Sequence, residues 1–466
     1  MQYFIFHWLV IGFLIFNSLA SFASPDLVQI YQLALKKDST LKIAESNYLS
    51  GLETKKIARA ALLPQLNGFL TYAKNDTEEL GVFPITFDQD GNPMTEEVRA
   101  LRHVDSYSEE DKESLGVSFQ QALFNLSVWF NYRAGMYQEQ ISMLEYKLEQ
   151  QNLIMRVADA YFEVLRLSEN LDVSQSMVHA DKKQLDSIRK RARVGSIAQV
   201  DVVQAQAVYD ISQATLLEDE DLFNVAIETL GLLVGQKIFD LREFDARYQP
   251  ALPDPANAQY WSELAKQNNL AIKVAYKGQL LENSKLRSYM STHLPTIGVE
   301  ARYTRSKSEV EEVDNALPLD FDSDSENQTL ALNASIPLFS GGKISAQRRK
   351  AKFQYHSATE TYVATFNEVV LHAEVAYRSA VNLFNRLSAK KRIIESNRQV
   401  MELMRDGYNA GIYDISYLLD AQKSLSISQR NYQNDKYQYI LAVFRLKQLA
   451  GMLSTDDLID LNQYLH

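Results

Sequence analysis

Leu62-Leu63-Pro64-Gln65-Leu66-Asn67-Gly68-Phe69-Leu70-Thr71-Tyr72 holds a helix stop and the start of a strand. Proline disfavours helical geometry in the residue before it, so the helical pattern that runs from Asp26 ends at Leu63. Beyond Pro64, Leu66, Gly68, Leu70 and Tyr72 alternate with Gln65, Asn67, Phe69 and Thr71, the two-residue period of a strand. The passage returns 231 residues on, Leu63-Pro64 as Leu294-Pro295 and Tyr72 as Tyr303, and upstream Leu33, Ala34, Lys42 and Ala44 return as Leu264, Ala265, Lys273 and Ala275. Downstream the interval is 216: Tyr161, Leu171, Gly195, Ala205, Gln206 and Gly235 return as Tyr377, Leu387, Gly411, Ala421, Gln422 and Gly451. The 15 extra residues lie in the middle of the first copy, where a loop tolerates them. A duplication of this size predicts a symmetric wall or ring built from repeated units, not one asymmetric catalytic pocket.

Each copy reads helix, strand, acidic loop, strand, long helix, glycine turn, helix. The return strand of the first copy sets Leu115, Val117 and Phe119 against Gly116, Ser118 and Gln120. In the second copy Ile297, Val299, Ala301 and Tyr303 oppose Thr296, Gly298, Glu300 and Arg302, and Leu330, Leu332, Ala334 and Ile336 oppose Thr329, Ala331, Asn333 and Ser335. One apolar and one polar face suits a barrel in lipid and equally a half-buried soluble sheet. A spanning reading forces several chains to share one barrel, because four strands cannot close and the smallest membrane barrels use about eight.

From Asn125 to Arg193 and from Lys343 to Asn409 no proline intervenes, and apolar positions recur at spacings of three and four, as in Val157, Tyr161, Val164 and Tyr377, Ala380, Phe384. Such helices are on the order of 100 Å long and coiled-coil in character. The flanking helices, Asp26 to Leu63 and Ile197 to Leu233, are about half that length, so two stacked end to end match one long helix. The predicted organisation is a first repeat over 24–248 with its loop at 73–113, a linker at 249–257, a second repeat over 258–454 with its loop at 304–327, and a short tail at 455–466. Residues 1–23 read as a secretory signal, apolar from Tyr3 to Phe16 and cleaved after Ala23 or Ala20, although no Lys or Arg precedes the apolar run.

The chain has no cysteine, which excludes disulfides, a cysteine-borne lipid anchor and thiolate metal sites. Its charge is concentrated. Ala73 to Glu113 carries 12 acidic and 4 basic residues and Thr304 to Asn327 carries 8 and 2, against a whole-chain value of −11. No broad basic face is left for nucleic acid. Enzyme signatures are missing as well: the seven histidines form no HExxH, neither GxSxG nor GxGxxG occurs, and Ser340-Gly341-Gly342-Lys343 lacks the spacing of a phosphate loop. No catalytic residue, metal or cofactor is expected.

Taken together, the helix-to-strand switches Leu62-Leu63-Pro64-Gln65-Leu66 and His293-Leu294-Pro295-Thr296, the helical Ala160-Tyr161-Phe162-Glu163-Val164-Leu165 and the return Ile336-Pro337-Leu338-Phe339-Ser340-Gly341-Gly342 resemble the TolC family of outer-membrane channels. Arg193-Val194-Gly195 through Val200-Asp201-Val202 and Gly407-Tyr408-Asn409-Ala410-Gly411 fit the same pattern. The resemblance implies an α+β membrane protein: a homotrimer whose 12-strand β-barrel, four strands from each chain, continues through a mixed equatorial region into a helical tunnel. It also implies outer-membrane lipid around the barrel, a periplasmic membrane-fusion adaptor, and an inner-membrane pump of RND, MFS or ABC type, for efflux or type I secretion. A soluble periplasmic scaffold or adaptor of helical hairpins is the competing reading of the same helices.

Glycine at 195 and 411 permits the left-handed residue that ends a helix and reverses the chain. In the family these turns meet the adaptor, which makes Val194, Gly195, Ser196, Ala410, Gly411 and Ile412 candidate docking tips. By position, Tyr408 matches the family's gate tyrosine, Asp201 its carboxylate partner and Asp420 one pore aspartate. Tyr413 stands where the best-known member has a gate arginine, and Tyr417 where it has the other pore aspartate. The resemblance therefore implies a gate of Tyr408, Asp201 and Tyr413 over a constriction of Asp420 and Tyr417, less cation-selective and less firmly held than usual.

Overall fold

The computed structural model describes residues 25–84, 101–238, 240–245, 248–314 and 317–465. The expected signal at 1–23 lies outside them. In chain order the elements are α1 (Leu27–Lys37), α2 (Ser39–Ala60), β1 (Gln65–Pro84), β2 (Leu101–Phe124), α3 (Leu126–Arg193) and α4 (Gln199–Val234). The second series is α5 (Ala258–Asn268), α6 (Leu270–Ser291), β3 (Thr296–Asp314), β4 (Leu317–Ser335), α7 (Lys343–Asn409) and α8 (Ile415–Leu449), followed by α9 (Thr455–Asn462). At 68 and 67 residues, α3 and α7 each reach about 100 Å.

The helix expected from Asp26 to Leu63 is two helices. Asp38 leaves helical geometry (φ −57°, ψ 120°), and its carboxylate accepts the amide of Leu41 at 2.6 Å, which restarts the helix as α2. Asn269 does the same 231 residues later, accepting from Ala271 at 2.9 Å and Ile272 at 3.2 Å. The N-caps repeat at that interval too, Asp26 bonding the amide of Gln29 and Asn257 that of Gln259.

Two compact units divide the chain, one of Met1–Asn47, Leu144–Val274 and Val363–His466, the other of Tyr48–Met143 and Ala275–Tyr362. Each takes segments from both copies. The first is helical, with a core of Leu27, Ile30, Leu153, Tyr161, Phe162, Leu230, Tyr437 and Ile440, all under 4% exposed. Tyr161 keeps its hydroxyl satisfied there by donating to the Arg242 carbonyl at 3.0 Å. The expected tail contributes as well: Ser454 caps α9, which buries Leu458 and Leu461 in this core.

The second unit holds one antiparallel sheet in the order β1-β2-β3-β4. Gln65 closes the end of α2 by donating to the Ala60 carbonyl at 2.8 Å, and Gln121 of β2 donates to that of Leu62 at 2.9 Å. Residues paired across strands share a face, and the register sets Leu66, Phe119, Ala301 and Leu330 in one row. Leu70, Val117, Val299 and Leu332 extend the same apolar face. It is bare in the single chain, Leu70 being 75% and Leu330 80% exposed. Left in water, each such leucine would forgo about 1.5–3 kcal/mol of burial. The opposite face presents Gln65, Gln120, Glu300 and Asn333, with Arg302 stacked 4.6 Å over the Phe69 ring. Among the described residues, no helix is long and apolar enough to cross a membrane.

The stretches 73–113 and 304–327, expected as loops, are strand through most of their length: β1 runs on to Pro84, β2 starts at Leu101, and β3 and β4 reach Asp314 and Leu317. Polar side chains on both faces hide the alternation from the sequence, while cross-strand pairs hold the ladder. Lys74 pairs with Glu109, Ser308 donates to Glu110 at 2.7 Å, and Arg305 meets Asp324 at 2.6 Å.

Candidate functional site

The helical unit joins its long helices at two glycine turns. Gly195 (φ 75°) and Gly411 (φ 73°) occupy the left-handed region. Past them the amide of Ser196 returns to the Arg191 carbonyl at 3.0 Å and that of Ile412 to the Gly407 carbonyl at 2.8 Å, satisfying the last helical carbonyls. Val194 and Ile412 stand exposed beside the glycines, as do Ser196 and Ala410. Each turn therefore offers a large apolar side chain, Val194 or Ile412, beside a hydrogen-bonded bend.

Behind the turns all four helices share an apolar cluster: Leu185 and Ile188 from α3, Ala205 from α4, Tyr408 from α7, and Leu418 and Leu419 from α8. Tyr408 is 7% exposed, and the Arg191 guanidinium lies 5.0 Å above its ring. Its hydroxyl is buried with no hydrogen bond. Burial raises its pKa, with the Arg191 charge pulling it down and Asp201 pushing it up. Asp201, half-buried in the first turn of α4, is thus near enough to be felt but makes no hydrogen bond to Tyr408 within this chain.

Tyr413 and Tyr417 are exposed at the start of α8, with ring centres 5.9 Å apart. The Tyr413 ring is seated on Gly407, where any Cβ would run into it. Asp420, also exposed, follows one turn after Tyr417.

The sequence reading missed a set of buried polar side chains between α3, α4 and α8. Asp181 is 3% exposed, with one oxygen accepting from Gln422 at 3.0 Å. The other is buried without a hydrogen bond, the neighbouring Ser212 hydroxyl being turned to the Tyr209 carbonyl at 2.9 Å. Asp219, 4% exposed, binds Arg430 and the Ser174 hydroxyl. Ser174 and Asp181 are seven residues apart on α3, and Ser212 and Asp219 seven apart on α4. Polar residues at a heptad interval within coiled-coil helices are the signal that would have found them.

Burial raises the Asp181 pKa. The folded chain then holds this proton more tightly than the unfolded chain, so ionisation costs stability as pH climbs from the ordinary aspartate range through the raised value. Asp181→Asn is expected to melt above the parent at pH 7, with the gap closing as pH falls towards about 4. Equal melting temperatures at pH 7 would show that the carboxylate carries no burial cost.

Comparison with known proteins gives the family and the fold. Residues 30–236 and 261–452, one stretch in each copy, match the family model described as outer membrane efflux protein. The outer membrane protein TolC of Vibrio cholerae serotype O1 is 27% identical over 440 residues, covering 94% of this chain and 93% of that one. The alkaline protease secretion protein AprF of Pseudomonas aeruginosa is 25% identical, covering 97% and 89%. Among solved structures, the outer membrane channel CmeC of Campylobacter jejuni superposes with a TM-score of 0.75 over 97% of this chain and 92% of its own, at 15% identity, a likeness of fold.

Proposed function

The chain belongs to the outer membrane efflux protein family, and we propose that three copies close one conduit whose aperture is set by Tyr408, Asp201, Tyr413, Tyr417 and Asp420. The protein is an outer-membrane channel extending into the periplasm, an exit duct for efflux or type I secretion. The observation that carries this reading is the single apolar face that the register builds across all four strands. A soluble scaffold would have to cover that face, whereas lipid covers it without a partner. β1 and β4 are the sheet's edges, and three such sheets give a closed 12-strand barrel.

The glycine turns with Val194, Ser196, Ala410 and Ile412 then form the periplasmic end that docks a membrane-fusion adaptor, and through it an inner-membrane pump of RND, MFS or ABC type. Their exposed apolar side chains beside hydrogen-bonded bends support that role. Behind them, Tyr408 packs the helices together at the aperture.

Reconstitution in planar bilayers tests the reading. The purified protein should run in detergent as three chains and conduct in discrete steps; a monomer that stays soluble without detergent would overturn it. Tyr408→Phe is expected to raise single-channel conductance, on the proposal that assembly of three chains supplies the partner that the buried Tyr408 hydroxyl lacks in the single chain. Unchanged conductance would remove that hydroxyl from the gate.

A further inference from the structure

The buried polar side chains between α3, α4 and α8 are an unusual way to hold three helices. At coiled-coil core positions an ion pair is seldom worth more than apolar residues of the same size, and its best-attested use is to fix register. Here α8 makes two polar links, one an ion pair and one a hydrogen bond from an amide. Arg430 reaches Asp219 of α4 and Ser174 of α3, and Ser174 also donates to Asp219. Two turns nearer the tip, Gln422 donates to Asp181 of α3.

Between the links the packing is open. A cavity of about 250 Å³ is lined by Asp181, Ser212, Asp420, Lys423, Ile427 and Arg430 among others. Over this span α8 makes both polar attachments beside that cavity. Gln422 lies two residues beyond Asp420 and five beyond Tyr417, on the same helix. Whatever fixes the height and rotation of α8 at Gln422 and Arg430 also fixes where those two side chains stand.

We propose that the Asp219–Arg430–Ser174 and Asp181–Gln422 links are a two-point clamp that sets the register of α8 on α3 and α4 and thereby the width of the constriction at Asp420 and Tyr417. The inference rests on the constriction assigned above. The clamp residues are positioning residues: they hold the helix that carries the constriction and lie behind its surface. Hydrophobic residues in their place would let α8 slide or turn, because apolar contacts are not directional.

The test separates positioning from stability. Asp219→Leu combined with Arg430→Met removes both charges and leaves neither orphaned, a change that commonly keeps or raises stability. In the full-length trimer it is expected to melt no lower than the parent yet to raise resting single-channel conductance about two-fold or more, with broader current levels. Arg430→Lys, which keeps the charge beside Asp219, should return conductance towards the parent value. Should the double variant fail to assemble, Asp181→Leu with Gln422→Leu opens the second link and is read in the same way. Parental conductance in an assembled variant of either pair overturns the clamp. A parent protein that does not conduct at all would instead overturn the channel reading on which the clamp depends.

Discussion

Leu330→Arg is expected to abolish assembly in the outer membrane, whereas Ala331→Arg, one residue along β4, is expected to be tolerated. The register puts Leu330 opposite Ala301, and Ala301 opposite Phe119 and so in line with Leu66, on the apolar face. An arginine facing lipid costs up to about 2–4 kcal/mol per chain, the most at the bilayer midplane, and a trimeric barrel would bear that cost three times. Ala331 points the other way and pairs with Glu300 across the ladder, so an arginine there gains an opposite charge on the aqueous side. Membrane fractionation and the yield of trimer resistant to mild detergent measure both variants. Equal yields would mean that the apolar face does not meet lipid, and the spanning orientation of the sheet would fall with it.

The contrast depends on a register that the sequence showed only in part. The alternation in Leu330-Ala331-Leu332 is plain because one face is apolar. It fades beyond Tyr72 and Tyr303, where Lys74, Glu109, Arg305 and Asp324 make both faces polar, and strand there looks like loop. The long helices were legible to within a residue, from Asn125 to Arg193 and from Lys343 to Asn409, because no proline interrupts a three-and-four apolar period. The break at Asp38 was hidden because one capping aspartate inside a periodic run looks like any polar position. Its counterpart Asn269, at the repeat interval of 231, is the comparison that exposes it.

At the site, the glycine turns are written in the residue type, since only a left-handed position asks for glycine at both equivalent places. The surroundings of Tyr408 are not. A hydrogen bond to Asp201 was the expectation from family position, and the chain instead shows Arg191 over the ring and a hydroxyl without a bond. Which of two nearby groups a side chain engages is decided by fractions of a helical turn, and periodicity does not resolve that. The seating of Tyr413 on Gly407 and the link from Arg430 to Asp219 are hidden for the same reason.

Asp420→Asn is expected to remove most of the channel's preference for cations. Of the two side chains placed at the constriction, Tyr417 is a phenol and Asp420 a carboxylate, so a trimer presents a ring of three carboxylates. Lys423 lines the same cavity one turn along α8 and partly offsets it, which keeps the preference modest and exposed to small changes. Asparagine preserves the shape and deletes the charge, so conductance should move little while the reversal potential in a salt gradient shifts towards zero. The difference should be clear near 0.1 M salt, where charges act over about 10 Å, and should shrink at 1 M, where the range is about 3 Å. Asp414→Asn serves as the control. Asp414 is exposed at the N-cap of α8, beside the turn and six residues before Asp420, and its side chain makes no capping bond. A reversal potential unchanged by Asp420→Asn, or shifted as far by Asp414→Asn, would take the selectivity filter away from Asp420.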